Sequence, residues 1–510
     1  MPAAPDVYDL IAYPGFAYAN THPDSLATMA ILHGLDPTPV ERCRVLEVGC
    51  NEGSNLIPMA YSIPGGEFVG FDLASVPVAH AQQRIRQLGL TNVRIFQADI
   101  LTVGDDPSQP LGTFDYIIAH GVYAWVPEHV RDALLALCRD HLAPNGIGFI
   151  SYNALPGGHL RDLNRDILSL RSTASDDPIE GINQGLELMQ FVIEARPEHD
   201  PLRLLLESQI KQLRKRGHGV IFHDELAPAQ RPVSVTTFVS HAGGHGLRYV
   251  SEASMPPPND ACFQPKTAAT AKAMAHGDWL AEEQILDFAR MRKYRETLLC
   301  RTDRPVTIDL RLDRLSLLRF ASPAQVATAA DPAKRVFILP NTLQMESQHP
   351  GTIALLDHLI AAWPSSVPFA EIASLLTSND VALDAEFFTL LIRLVVARVI
   401  TLHTWKAPVS SRVGRRPLVS AIARQEASTA DTVTTLLHTT LSVADPVVRE
   451  FVLLLDGSRE RGALLKAFQQ AHPDQPEASI VEGIEATLQL LNRAGTLLAD
   501  NAQEETDQQD

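Results

Sequence analysis

The sequence predicts an α/β protein, with a doubly wound, mostly parallel sheet near the N-terminus followed by a mainly helical remainder. Three observations carry this. Between residues 44 and 152 short apolar runs alternate with helical patterns of ~10–15 residues, the rhythm of parallel strands joined by crossover helices. The first run, Val45, Leu46 and Val48, breaks into a glycine turn, Gly49-Cys50-Asn51-Glu52-Gly53. Glu47, Asp72, Asp99 and His120 all fall where runs end, which in such sheets is the edge where ligands bind.

Taken in order, residues 1–40 form an aromatic flap, with Tyr8, Tyr13, Phe16 and Tyr18 ahead of a helix over 25–33. Residues 41–165 hold the sheet: strands over 44–48, 67–72, 93–99, 114–120 and 146–152, with helices over 77–88 and 128–141. Residues 166–345 read as a middle, mainly helical domain. Its helices span 165–170, 181–194 and 202–216, then come a mixed stretch over 221–226 and a short strand over 247–251. A long amphipathic helix is expected over 278–299, with the basic run Arg290 to Arg295 as its solvated face. Residues 346–500 appear as a helix-helix-helix-strand pattern twice, 354–405 and 450–499, each resembling a winged-helix unit. The acidic residues 501–510 read as a disordered tail.

Composition narrows the function. The chain has 510 residues, 45% hydrophobic and 20% charged, which is a globular balance and too long for one ordinary core. A net charge of −17 argues against a nucleic-acid partner, which requires a basic face. The basic cluster Lys211, Arg214, Lys215 and Arg216 reads as one solvated helix side. Five scattered cysteines with no CxxC pair predict free thiols, and no metal site is expected. The first residues lack a signal-peptide layout and no apolar run approaches ~20 residues, so the expectation is a cytoplasmic protein without membrane insertion.

The turn reads E-x-G-x-x-x-G, not the G-x-G-x-x-G of dinucleotide folds, and its acids Glu47 and Glu52 would repel a pyrophosphate. A ligand with a positive centre and hydroxyl groups suits it better, and S-adenosyl-L-methionine is the expected cofactor. The candidate cofactor-binding residues are Glu47, Gly49, Asn51, Gly53, Asn55, Asp72, Leu73, Asp99, Ile100 and His120. Glu47 is placed for an amino group, Asp72 for ribose hydroxyls, and Asp99 with Ile100 for the adenine. The run His120-Gly121-Val122-Tyr123-Ala124-Trp125-Val126-Pro127 follows the fourth strand, where a methyl acceptor would sit. Tyr123 and Trp125 are candidate apolar walls that also hold a cation through their rings. Tyr123, His120 and Tyr152 are candidate proton relays. The catalytic candidates are therefore Tyr123, His120, Trp125 and Tyr152, with plain packing as the competing reading for Trp125 and a strand-end turn for Tyr152. His223 and Asp224 look like a catalytic pair but lie outside the sheet and read as structural.

The run Glu47 to Gly53, with Phe114 to Pro127, resembles class I methyltransferases that carry a methyltransferase regulatory domain, a group including rickettsial protein-lysine methyltransferases. Residues 283–288 with 295–301 resemble the regulatory signature, and 453–461 the family's C-terminal module. The resemblance implies a Rossmann-like class I fold, S-adenosyl-L-methionine as cofactor, and a cofactor pattern on Glu47, Gly49, Gly53, Asp72, Asp99 and His120. It also implies a protein lysine as acceptor, with a small-molecule methyltransferase or a non-catalytic cofactor-binding scaffold as alternatives. The extra domains would hold substrate or form a homodimer. Asn51-Glu52 stands where many class I enzymes have Gly-Asp or Gly-Thr.

Overall fold

The computed structural model describes residues 15–104, 110–172, 177–226, 231–255, 266–328, 331 and 334–499. Seven strands form the main sheet: β1 (Arg44–Val48), β2 (Glu67–Asp72), β3 (Val93–Gln97), β4 (Phe114–Ala119), β5 (Leu142–Asn153), β6 (Leu247–Glu252) and β7 (Tyr294–Arg301). Their order is β3-β2-β1-β4-β5-β7-β6. β1 to β5 are parallel, and β7 runs antiparallel to both its neighbours, β5 and β6. The order reverses between β1 and β4, which opens a crevice outside their carboxyl ends.

Strand alternation sorts the core onto two faces. On one face Val45, Phe68, Tyr116, Ile118 and Phe149 pack with the helices Pro23–Leu32 and Leu56–Ser62. On the other Leu46, Val69, Ile117, Ile150 and Tyr152 pack with the helix Glu128–His141 and with Phe238 of the helix Val235–Gly244. The helix Ser75–Leu88 ends at Gly89, whose φ of 66° is the left-handed cap that glycine adopts without strain.

The long helix expected over 278–299 is corrected. It spans Trp279–Arg290, stops at Met291 in the left-handed region, and the chain continues as β7. The basic run is not a solvated face. Arg295 has no exposed side-chain surface and pairs with Glu252 at 2.9 Å, Glu283 at 2.7 Å and Asp287 at 2.9 Å. The stretch over 221–226, read as mixed, belongs to the helix His218–Glu225. It packs with the helices Gly158–Ser172, Pro178–Glu194 and Pro201–Leu213 around Leu168, Met189, Leu206 and Ile221.

The C-terminal repetition is plain in the topology. The strand Arg319–Ala321 pairs with Val367–Pro368 and Thr401–His403, and the helices Pro350–Ala362, Phe369–Ser378 and Ala385–Val396 lie between. Leu418 likewise bridges Asp456 and Val419 bridges Leu497, around the helices Pro446–Leu454, Arg461–Ala471 and Glu477–Arg493. The second unit has its own core, centred on Phe451, Leu464, Leu488 and Leu491. Cys43, Cys50, Cys138 and Cys300 are free and buried, and Cys262 lies outside the described residues, as do Tyr8, Tyr13 and the tail. Among the described residues no helix is long and apolar enough to cross a membrane.

Candidate active site

A cavity of about 710 Å³ opens at the carboxyl ends of β1, β2 and β4. On its loop side, Gly49 turns the chain with a φ of +70°, and a Cβ there would stand 2.8 Å from Val122 Cγ2. The backbone N–H of Asn51 donates to Asp72 Oδ2 at 2.8 Å, and that of Ala74 to Oδ1 at 2.9 Å, so β2's terminal carboxylate is oriented from both ends. Asp99 is held similarly by the Leu101 N–H at 2.9 Å.

Glu47 is the most unusual group here. It is 4% exposed, and its Oε1 accepts from Asn55 Nδ2 at 2.7 Å. Its Oε2 is buried without a protein partner. Burial pushes its carboxyl up to about 8 against the Asn55 hydrogen bond, and the charge of Asp72 adds to the rise. Asn55 is in turn fixed by two distant segments. Its Oδ1 accepts from the Tyr18 N–H at 3.0 Å and lies 2.8 Å from Nε2 of His438, a buried residue of the C-terminal region.

The opposite side centres on His120. Its ring stacks on Tyr18 at 3.9 Å between centroids, and its Nε2 is 3.2 Å from the Tyr294 hydroxyl. Burial holds this imidazole down at about 4, so it is neutral at pH 7. Asn153, 2% exposed, accepts from Arg161 at 3.0 Å through Oδ1, while its Nδ2 is buried without a partner. Trp125, His223, Asp224 and Glu296 also line this side. Glu296 accepts from Asn20 Nδ2 at 3.0 Å, and burial raises its carboxyl.

Of the residues singled out in the sequence, Glu47, Gly49, Asn51, Asn55, Asp72, Leu73, Asp99, Ile100, His120 and Trp125 line the cavity, as do Phe16 and Tyr18 of the flap. Gly53 does not; it packs against Ile57 and Ile95. Tyr123 and Tyr152 are not brought there either. Tyr152 lies one residue from Asn153 on β5, so it faces the other side of the sheet and stacks on Phe238 at 4.2 Å. Tyr123 points the same way, and its hydroxyl lies 2.7 Å from His241 Nδ1. His223 and Asp224, read as structural, are cavity residues. Tyr294 and Glu296 were hidden by the helix expected over 278–299; the alternation of Tyr294, Glu296 and Leu298 with Arg295, Thr297 and Leu299 was the available signal.

Residues 46–147 match the family model described as a methyltransferase domain, and residues 218–301 that of a "Predicted methyltransferase regulatory domain". An uncharacterized protein of Rickettsia prowazekii is 34% identical over 308 residues, covering 60% of this chain and 54% of the relative, so the match spans about half of that relative's length. A second uncharacterized protein of the same organism is 30% identical over 236 residues, 46% of this chain and 93% of the relative. The chain belongs to the class I S-adenosylmethionine-dependent methyltransferases with a regulatory domain. The methyltransferase shares its fold with PKMT2 from Rickettsia typhi, solved in complex with AdoHcy. That likeness covers 96% of this chain and 100% of the other, with a TM-score of 0.83 at 22% identity. S-adenosyl-L-methionine is its cofactor. The cavity fits that molecule: at the switch point stands a buried carboxyl whose Oε2 lacks a protein partner, beside a glycine turn that a Cβ would obstruct.

Proposed function

We propose that this methyltransferase acts on lysine side chains of a protein. One observation carries the reading: the cavity is lined by the rings of Tyr18, Trp125 and Tyr294 and by the carboxyl groups of Asp224 and Glu296. Aromatic faces and carboxylates together attract an alkylammonium and strip its water. The buried Asn153 Nδ2 adds a donor suited to a peptide carbonyl.

When bound, S-adenosyl-L-methionine supplies an electrophilic methyl group on a positively charged sulfur. Glu47 would hold its amino group, Asp72 the ribose hydroxyls, and Asp99 with Leu73 and Ile100 the adenine. Gly49, Asn51 and Asn55 shape that side, with Gly53 supporting the turn from behind. His120, neutral and clamped between Tyr18 and Tyr294, would form the boundary between the cofactor side and the acceptor side. A lysine drawn in past Trp125 by these rings and carboxylates would give up its proton to solvent before transfer, because burial and the positive charge of the bound cofactor disfavour the ammonium there. The Tyr294 hydroxyl orients the neutral amine. Deprotonated and held there, the amine would accept the methyl group that the cofactor supplies and release its surplus N–H proton to water. Positioning and desolvation supply most of the acceleration of such an in-line transfer. Tyr123 and Tyr152 brace this wall from behind.

The two C-terminal repeats serve this reading as winged-helix-like modules that contact the substrate protein. The helix Glu477–Arg493 carries Glu477, Glu482 and Glu485, which suits a basic protein surface and not a phosphate backbone. The test is incubation of the purified chain with methyl-labelled cofactor and a cell lysate, followed by mapping of the label by mass spectrometry. Label on lysines is the expected result; label confined to small molecules, or none, overturns the proposal.

A further inference from the structure

Away from the cavity, on the sheet face that holds Tyr123, the helix Glu128–His141 meets the helix Val235–Gly244. Asp132 projects from the first. His241 projects from the last turn of the second, and His245 is that helix's C-cap, four residues on. His241 Nε2 lies 2.7 Å and His245 Nε2 3.4 Å from the same atom, Asp132 Oδ1. One ligand atom from each residue falls within 4.8 Å of the others, the one such histidine–carboxylate grouping among the described residues. We infer that Asp132, His241 and His245 form a binding site for a divalent transition-metal ion of the zinc type.

Three features support the assignment. The donor set is two imidazole nitrogens and one carboxylate oxygen, the borderline N/O combination zinc prefers, and it leaves a fourth position for water. The side chains keep 24%, 22% and 50% of their surface exposed for His241, His245 and Asp132, so an ion can enter without unfolding anything. In addition His241 has its outer partner in place. With Nε2 on the metal, Nδ1 carries the proton and donates to the Tyr123 hydroxyl at 2.7 Å, the support metal-bound histidines ordinarily have. Tyr123 is 1% exposed, packed edge-on against Phe238 with centroids 5.0 Å apart, so it is a rigid anchor.

The site has a position that gives it a consequence. Asp132 belongs to the segment matching the methyltransferase domain, and His241 and His245 to the segment matching the regulatory domain. An ion there clasps the two segments together. Through Tyr123 it also braces the turn Tyr123–Trp125, whose last residue lines the cavity.

The test uses the full-length chain without an affinity tag, stripped of metal by chelator and titrated with Co²⁺, whose visible absorption reports its coordination; Zn²⁺ is then added in competition. The expected result is one Co²⁺ per chain, displaced by Zn²⁺, with the band lost in His245→Ala and in Asp132→Asn. Tyr123→Phe should bind roughly 10-fold more weakly, the usual effect of removing a ligand's outer partner. Circular dichroism and melting of each variant without metal show that it is folded, and Zn²⁺ should raise the melting temperature of the parent chain but not of His245→Ala. No Co²⁺ binding by the parent, or an isotherm unchanged in folded His245→Ala and Asp132→Asn, overturns the inference.

Discussion

On its loop side the cavity wall comes from residues 47 to 101, at the ends of three neighbouring strands; on the His120 side it is gathered from positions as far apart as Tyr18, Asn153, His223 and Glu296. The loop side is made by local chain geometry: a glycine turn and acids placed at strand ends by the sheet itself. The other side exists only because β7 inserts between β5 and β6 and a helix over His218–Glu225 folds back on it. Damage to one should therefore look different from damage to the other.

The largest contrast is expected at Arg295, which holds β7 through three carboxylates. Arg295→Ala leaves the Asp287 carboxylate buried without this partner and Glu252 with Arg292 alone, and should cost about 3–5 kcal/mol of stability in denaturant unfolding. A loss under 1 kcal/mol would mean that β7 is held by its strand pairing alone. Next comes Asp72→Ala, which removes a charged acceptor from the loop side. It should weaken S-adenosylhomocysteine binding in calorimetry by about 2–3 kcal/mol, with a smaller loss of stability from the Asn51 and Ala74 N–H groups that lose this acceptor.

Glu47 gives a pH signature. Folded, it keeps its proton up to about pH 8, whereas an unfolded glutamate releases it near 4.5. Between these values the folded chain binds more protons, so this group's contribution to stability falls as pH rises through the window. The cofactor's ammonium favours the carboxylate, so binding expels the proton. Affinity for S-adenosylhomocysteine should rise by up to ~10-fold per pH unit from about pH 6 to 8 and then level. Calorimetry in buffers of different ionisation enthalpy checks this; identical enthalpies would show Glu47 already ionised. The smallest effect is predicted for Tyr294→Phe, which removes one hydroxyl from the His120 side. Methyl transfer should slow by about 1 kcal/mol, several-fold, with cofactor affinity unchanged; equal losses in both would move Tyr294 to the loop side's function.

The same contrast explains what could be read from the sequence. Glu47, Gly49, Asp72 and Asp99 are legible because strand ends and a glycine turn are local patterns. The parallel core and the repeated C-terminal order were legible for the same reason, since each rests on periodicity within ten or fifteen residues. Tyr294 was not, because the run from Trp279 through Leu299 keeps enough apolar spacing to read as one helix, and only the left-handed Met291 breaks it. Tyr123 and Tyr152 were drawn to the wrong side of the sheet. Their partners, Phe238 and His241, are about a hundred residues away, and no local signal points to them.

The hydrogen bond between His438 and Asn55 has a consequence in time. A ribosome delivers Glu47, its glycine turn and the Tyr18 and Thr21 contacts to Asn55 early, but the third contact to Asn55 arrives only after residue 438 has emerged. The cofactor pocket is therefore translated first, yet the last of its hydrogen bonds to Asn55 waits for the C-terminal half of the chain.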